Sequence, residues 1–183
     1  MSRERDAIAS RLRLKDHSAG YVINGDNGYR FLGRRAMALE NSQDFSEFAN
    51  ANLLPKEILH EKIRQRVWSA FVRGEYDSAV LHALKAVEVY VREAAGFDRG
   101  HRGASMMREA FHREDGPLTD LSLETAEREA VGHLFAGAYG YFRNPNAHHD
   151  VPLNSAIEAL EIVLLANHLL RIVDAAVARR PAC

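Results

Sequence analysis

Cysteine is almost missing from this chain. Its one example, Cys183, is the last residue, which excludes an internal disulfide framework and any cysteine-based zinc site. An excess of one charge is missing too: 24 Lys and Arg against 25 Asp and Glu give a formal charge of −1. The molecule therefore lacks the general field that holds a nonspecific nucleic-acid binder on its ligand, and contact with an anionic polymer needs a local patch. No apolar run reaches the ~18 residues that span a bilayer, and the N-terminus is charged rather than apolar, so neither a membrane segment nor a signal peptide is expected. The expectation is a soluble, cytoplasmic protein. There is no internal repeat and no low-complexity tract.

What is present is apolar material for one sizeable core, at 46% hydrophobic residues in 183. Its pattern is mostly helical. Residues 1–54 read as an N-terminal appendage. Residues 2–15 suit a short helix, and YVINGDNGYRFL (21–32) sets Asn-Gly signals between aromatic and β-branched residues, the pattern of a hairpin or ordered loop. Residues 36–54 read as a linker or a weak helix. The appendage is also basic: Arg3, Arg5, Arg11, Arg13, Lys15, Arg30, Arg34 and Arg35 outnumber its early acids. A solvated amphipathic helix followed by a polar turn accounts for that.

From Pro55 to residue 183 the chain reads as an all-α bundle of four long helices and one short one. Pro55 opens the first, with Ile58, Leu59, Ile63, Val67 and Phe71 at helical spacing until Gly74. Asp77 opens the second, which runs to Ala95 and stops at Gly96. A short helix covers roughly 104–111, ahead of a loop with Gly116 and Pro117. Ser122 suits an N-cap for the fourth, which ends where Asn144-Pro145 forces the backbone out. From Val151 to Ala178 the chain is apolar on nearly every face, which marks this last helix as the buried centre of a bundle or of a dimer. Gly132, Ala136 and Gly140 form a ridge of small residues suited to close approach by another helix, either the chain's own last helix or one from a second copy.

Two segments carry chemistry. On the second helix, steps of three, three and four residues place His82, Lys85, Glu88 and Arg92 on one stripe, with Val80, Leu84, Val87 and Val91 turned to the core. Such a stripe by itself is the ordinary pattern of a solvated face laced by Glu-to-Arg pairs. The other segment is FRNPNAHHD (142–150). Arg143 ends a helix and His148 follows five positions later. A guanidinium grips a phosphate with paired hydrogen bonds, and an imidazole near neutrality moves protons. RNA supplies its own nucleophile through the 2′-OH, so these two groups suffice for phosphodiester cleavage without a metal or other cofactor. The plainer reading is a helix stop: Arg143 complements the helix dipole, Asn-Pro ends the helix, and the histidines sit in the loop beyond. No His-Glu-x-x-His metal motif, phosphate-binding glycine loop or nucleophile elbow is present.

RNPNAH, Arg143 to His148, resembles the Arg-Asn-x-x-x-His motif of HEPN domains, helical bundles common in prokaryotic defence and toxin systems. Glu88-Val-Tyr-Val-Arg92 is similar to the Glu-x-x-x-Lys/Arg element of many of them. More closely, ALKAVEVYVREAAG (83–96), HLFAGAYGYFRNPNAHH (133–149) and ALEIVLLANHLLRIVDAA (159–176) resemble the Ymh family of uncharacterised bacterial proteins, often encoded beside restriction or abortive-infection genes. The resemblance covers about two thirds of the chain and leaves residues 1–54 unexplained. It implies a HEPN-like bundle and a metal-independent endoribonuclease, a homodimer whose two motifs meet in a cleft, leaving a 2′,3′-cyclic phosphate. It implies that Arg143 binds the scissile phosphate, that His148 acts as base or acid, and that Asn144 orients the site or caps the helix. Glu88 and Arg92 would position the motif from the neighbouring helix, with Lys85 in support. His149 matches no motif position and stands open as an assistant to His148. An antitoxin or defence-system partner fits the same picture. The other reading is a noncatalytic HEPN-like module that binds RNA or a protein.

Overall fold

A computed structural model describes residues 22–24, 30–32, 50–143 and 153–179, the strands and Arg143 by their backbone. The chain divides into two compact units, 1–46 and 47–183.

In the first unit two short strands pair on either side of residues 25–29, where the sequence allowed a hairpin or an ordered loop. Strand β1 (Val22–Asn24) pairs antiparallel with β2 (Arg30–Leu32), in the register Val22↔Leu32, Ile23↔Phe31, Asn24↔Arg30. The expected helix over 2–15 lies outside the described residues. So does most of 36–54, although residues 50–53 are helical.

The second unit is an all-α bundle with α1 (Glu61–Val72), α2 (Tyr76–Ala95), the short α3 (Gly103–Ala110), α4 (Thr125–Arg143) and α5 (Ala156–Ala178). This is the expected set of four long helices and one short one. Residues 50–54 pack on it: Leu54 is fully buried, its carbonyl accepts the Trp68 indole N–H at 3.1 Å, and Asn50 donates to the Val72 carbonyl at 3.2 Å.

The first helix differs from its expected start. Lys56–Ile58 forms only a 3-10 turn, Leu59 is extended and fully buried, and α1 begins after an N-cap at His60. The cause is tertiary. The His60 backbone N–H donates to Asn167 Oδ1 at 2.6 Å, and the Ile58 carbonyl accepts from Asn167 Nδ2 and from Arg171. Polar side chains of α5 thus satisfy the backbone groups that the break would leave unpaired. His60 Nδ1 accepts the Lys62 N–H while Nε2 faces Asp174 Oδ2 at 2.9 Å. The first contact fixes the proton on Nε2, so the ring is a structural peg between α1 and α5.

Local stops elsewhere are chemical. Gly96 takes a positive φ of 73° and closes α2, with the Phe97 N–H bonded to the Arg92 carbonyl at 3.0 Å. Ser155 caps α5 by accepting the Glu158 N–H. The fourth helix begins at Thr125, later than Ser122 suggested. Ser122 is tied instead to Asp120, whose carboxylate accepts both its N–H and its hydroxyl. That Asx-type turn competes with the helix for those groups.

The centre of the bundle is α2, not α5. Helix α2 packs against each of the other four, whereas α5 lies on α2 and α1. Ile157 and Leu164 of α5 are accordingly exposed, at 52% and 36%. An apolar helix surface says how much can be buried; its neighbours decide how much is. The ridge of Gly132, Ala136 and Gly140 is filled by α3 of the same chain, since a Cβ at Gly132 would stand 3.1 Å from the Phe111 carbonyl oxygen and one at Gly140 would touch Ala104. Among the described residues α3, not α5, lies against it. Among the described residues, no helix is long and apolar enough to cross a membrane.

Candidate functional site

The chemistry gathers on α2. Four of its residues, Val80, Leu84, Val87 and Val91, form the buried side expected from their spacing, together with Ala83. Glu88, expected on the solvated stripe, is buried as well, at 3% exposure. Its carboxylate is the meeting point of three helices. Oε2 takes a hydrogen bond from Lys85 Nζ at 2.7 Å, Oε1 takes one from the backbone N–H of Gly103 at 3.1 Å, and the Tyr139 hydroxyl of α4 donates a further one. The Gly103 N–H is among the unpaired donors at the start of α3, so a carboxylate there also meets the positive end of the helix dipole.

Burial alone would push the Glu88 carboxyl above its ordinary value. The hydrogen bonds from Lys85, Tyr139 and Gly103, with the Lys85 charge, outweigh burial and hold it below the usual glutamate value of 4.5. Glu88 is therefore a fixed anion near neutral pH. Its partner is Lys85 rather than the Arg92 that the stripe suggested. Arg92 is half-buried and makes no hydrogen bond or ion pair from its side chain among the described residues. His82 turns away from Glu88 and lines an open cleft with Lys85, facing Lys62 and Arg66 of α1.

Tyr139 stands one helical turn before Arg143, the last residue of α4, so the Glu88 clamp fixes the helix that carries the motif immediately before the motif begins. The far flank is tied to α2 as well: the Leu153 N–H donates to Asp77 Oδ1 at 3.1 Å, in the first turn of that helix. Asp77 and Glu88 are about 16 Å apart along α2 at the usual helical rise. Two carboxylates of one helix thus hold both flanks of the motif. Asn144, His148 and His149 lie outside the described residues, as does the Arg143 side chain.

Neither Tyr139 nor Asp77 was singled out from the sequence. The sequence signal for Tyr139 is its position four before Arg143; that for Asp77 is only of a helix opener. Tyr141 is 71% exposed beside the motif, with Phe142 packed edge-on against it at 4.8 Å between ring centres. On the outer face of α4, Ala126, Ala130, Leu134, Gly137 and Tyr141 are all exposed and follow helical spacing. A Cβ at Gly137 would meet nothing within 4 Å. Among the described residues, no group of three or more His, Cys, Asp or Glu is placed to hold a metal ion.

Residues 57–173 match the family described as "Protein of unknown function (Hypoth_ymh)". No curated protein and no solved structure matches the chain. The match spans the bundle from the 3-10 turn to the last turns of α5, and the chain belongs to this family.

Proposed function

We propose that this member of the Hypoth_ymh family is a metal-independent endoribonuclease of HEPN type, acting as a homodimeric effector in a prokaryotic defence or toxin system. The observation that carries the reading is the double anchoring of RNPNAH: Glu88 secures the helix before it through Tyr139, and Asp77 holds the chain after it through Leu153. An ordinary helix stop needs no such support. A site whose groups must be held to a fraction of an ångström does.

In this reaction the 2′-OH of RNA loses its proton to His148 and attacks the adjacent phosphorus. The P–O5′ bond breaks, the 5′ oxygen takes up a proton, and the products are a 2′,3′-cyclic phosphate and a 5′-hydroxyl. Arg143 binds the phosphate oxygens and stabilises the extra negative charge of the transition state. Asn144 orients this pair, His149 stands next to the base, and Glu88 with Lys85 and Arg92 positions the motif from α2. DNA lacks the 2′-OH and is bound without being cut. The open face of α4, from Ala126 through Tyr141, supports pairing with a second copy, because it presents small and apolar residues up to the edge of the motif. The N-terminal unit and an antitoxin or operon partner are the natural places for control.

The test is purified protein incubated with mixed cellular RNA in excess EDTA, beside the Arg143→Ala and His148→Ala variants, with the product ends analysed. Cleavage by the wild type alone, leaving cyclic-phosphate ends, is the expected result. RNA left intact by the wild type, or cut equally by both variants, overturns the proposal.

A further inference from the structure

The cleft between α1 and α2 has a volume of about 370 Å³ and is lined by Lys62 and Arg66 from α1 and His82 and Lys85 from α2, over Ala86 and Val89. We infer that this groove binds the phosphate backbone of single-stranded RNA and guides it across the bundle, a role separate from the cleaving residues. The inference rests on the proposed ribonuclease reading only in naming RNA as the strand.

Three observations support it. First, Lys62 and Arg66 are left without a carboxylate partner among the described residues, whereas Lys85 is paired with Glu88 at 2.7 Å. Arg66 makes no hydrogen bond or ion pair among the described residues, and Lys62 lies over the Tyr90 ring at 4.1 Å, with Glu93 the one carboxylate in the lining. Lys85 bonds to Glu88 through one of its three donors. Tyr90 adds no opposing charge: burial, the hydrogen bond to Asp174 and the Asp174 charge push its hydroxyl up to about 12. Second, Lys62 and Arg66 are one helical turn apart on the same face, where like charges destabilise a helix unless an anion lies between or over them. Third, a neighbouring cleft shows the contrast. The cleft of about 340 Å³ between α3 and α4 also contains Arg113 and His112, but there Arg113 faces Glu114 at 3.5 Å and Glu129 at 3.7 Å, and His112 is bonded to Asp115. Arg108 is the one Lys or Arg of that lining without a carboxylate partner among the described residues, against both Lys62 and Arg66 in the α1/α2 groove. In a molecule with a net charge of −1, the α1/α2 groove is the sort of local patch that a polyanion requires. Lys85 joins the two sites, since it forms one wall of the groove and also holds the Glu88 clamp.

The experiment is binding of a fluorescein-labelled 2′-O-methyl RNA strand, which cannot be cut, to the full chain by fluorescence anisotropy over a salt series. Wild type, Arg66→Glu, Lys62→Glu, Arg66→Lys and His148→Ala are compared, with circular dichroism confirming the fold. For three phosphate contacts, log K against log salt should have a slope of about −2, and Arg66→Glu should reduce its magnitude by about 0.7. Affinity should fall at least tenfold in Arg66→Glu and Lys62→Glu, and hold within a few-fold in Arg66→Lys and His148→Ala. Folded Arg66→Glu and Lys62→Glu that bind as tightly as wild type, no strand binding by wild type at low salt, or binding of polyglutamate in place of the strand would each overturn the groove. If wild type binds through Arg66 but leaves ordinary RNA intact, the groove stands and the nuclease reading fails. If it cleaves RNA while binding ignores Arg66, the reverse holds.

Discussion

The two sides of α2 treat charge in opposite ways. On one side Glu88 is buried, and each carboxylate oxygen has a hydrogen-bond donor. On the other, Lys62 and Arg66, without a carboxylate partner among the described residues, line an open groove with Glu93 as its sole carboxylate. A charge taken out of water must be matched inside the protein, whereas one left in water is free to be matched by a ligand. The first arrangement makes a rigid support and the second a binding surface. The same division runs along α4, whose Gly132 face is closed by α3 while its Gly137 face is open.

Glu88→Ala should do the most damage. It leaves the Tyr139 hydroxyl and the Gly103 N–H without their acceptor and Lys85 without its partner, for a loss of about 3 kcal/mol in urea unfolding. A loss under about 0.5 kcal/mol would mean that the packed side is no more demanding than the open one. Gly132→Ala should follow, since its Cβ stands 3.1 Å from the Phe111 carbonyl oxygen and forces α3 and α4 apart. The expected loss is about 1–3 kcal/mol. Gly137→Ala, with space around it, should instead stabilise the fold by about 0.5–1 kcal/mol through helix propensity. Equal effects at the two glycines, read from thermal melts, would erase the distinction between the faces.

The smallest effect is the pH dependence of the clamp. The folded-state value of Glu88 lies below its reference of 4.5, so its contribution is fully present above that reference and is lost as the pH falls through the lowered folded value. Glu88→Gln should remove this part of the acid sensitivity. Superimposable stability profiles for wild type and Glu88→Gln below pH 4.5 would show that Glu88 carries none of it.

Local chemistry made much of the fold readable: the paired strands 22–24 and 30–32, the stop at Gly96, the core stripe of α2 and the bundle helices among the described residues all follow from short-range spacing and turn residues. Sequence alone also brought out RNPNAH and the pairing of Glu88 with charged neighbours. It misplaced the start of the first helix, because Pro55 and the apolar series gave no sign that Asn167, far along the chain, would receive the His60 N–H. Of the two places it offered α5, the centre of a bundle or of a dimer, the bundle centre went to α2, because apolar content does not specify neighbours; and it put Glu88 in water, because periodicity cannot show that the start of α3 and Tyr139 converge on that position. The groove was also hidden, as Lys62 and Arg66 acquire meaning only when α1 lies beside His82 and Lys85. The helices and their local stops are written in the sequence, since they depend on contacts within a few positions. Only the tertiary structure decided which charges are buried and matched and which are left open to a ligand, since desolvation is set by the neighbours that packing brings together.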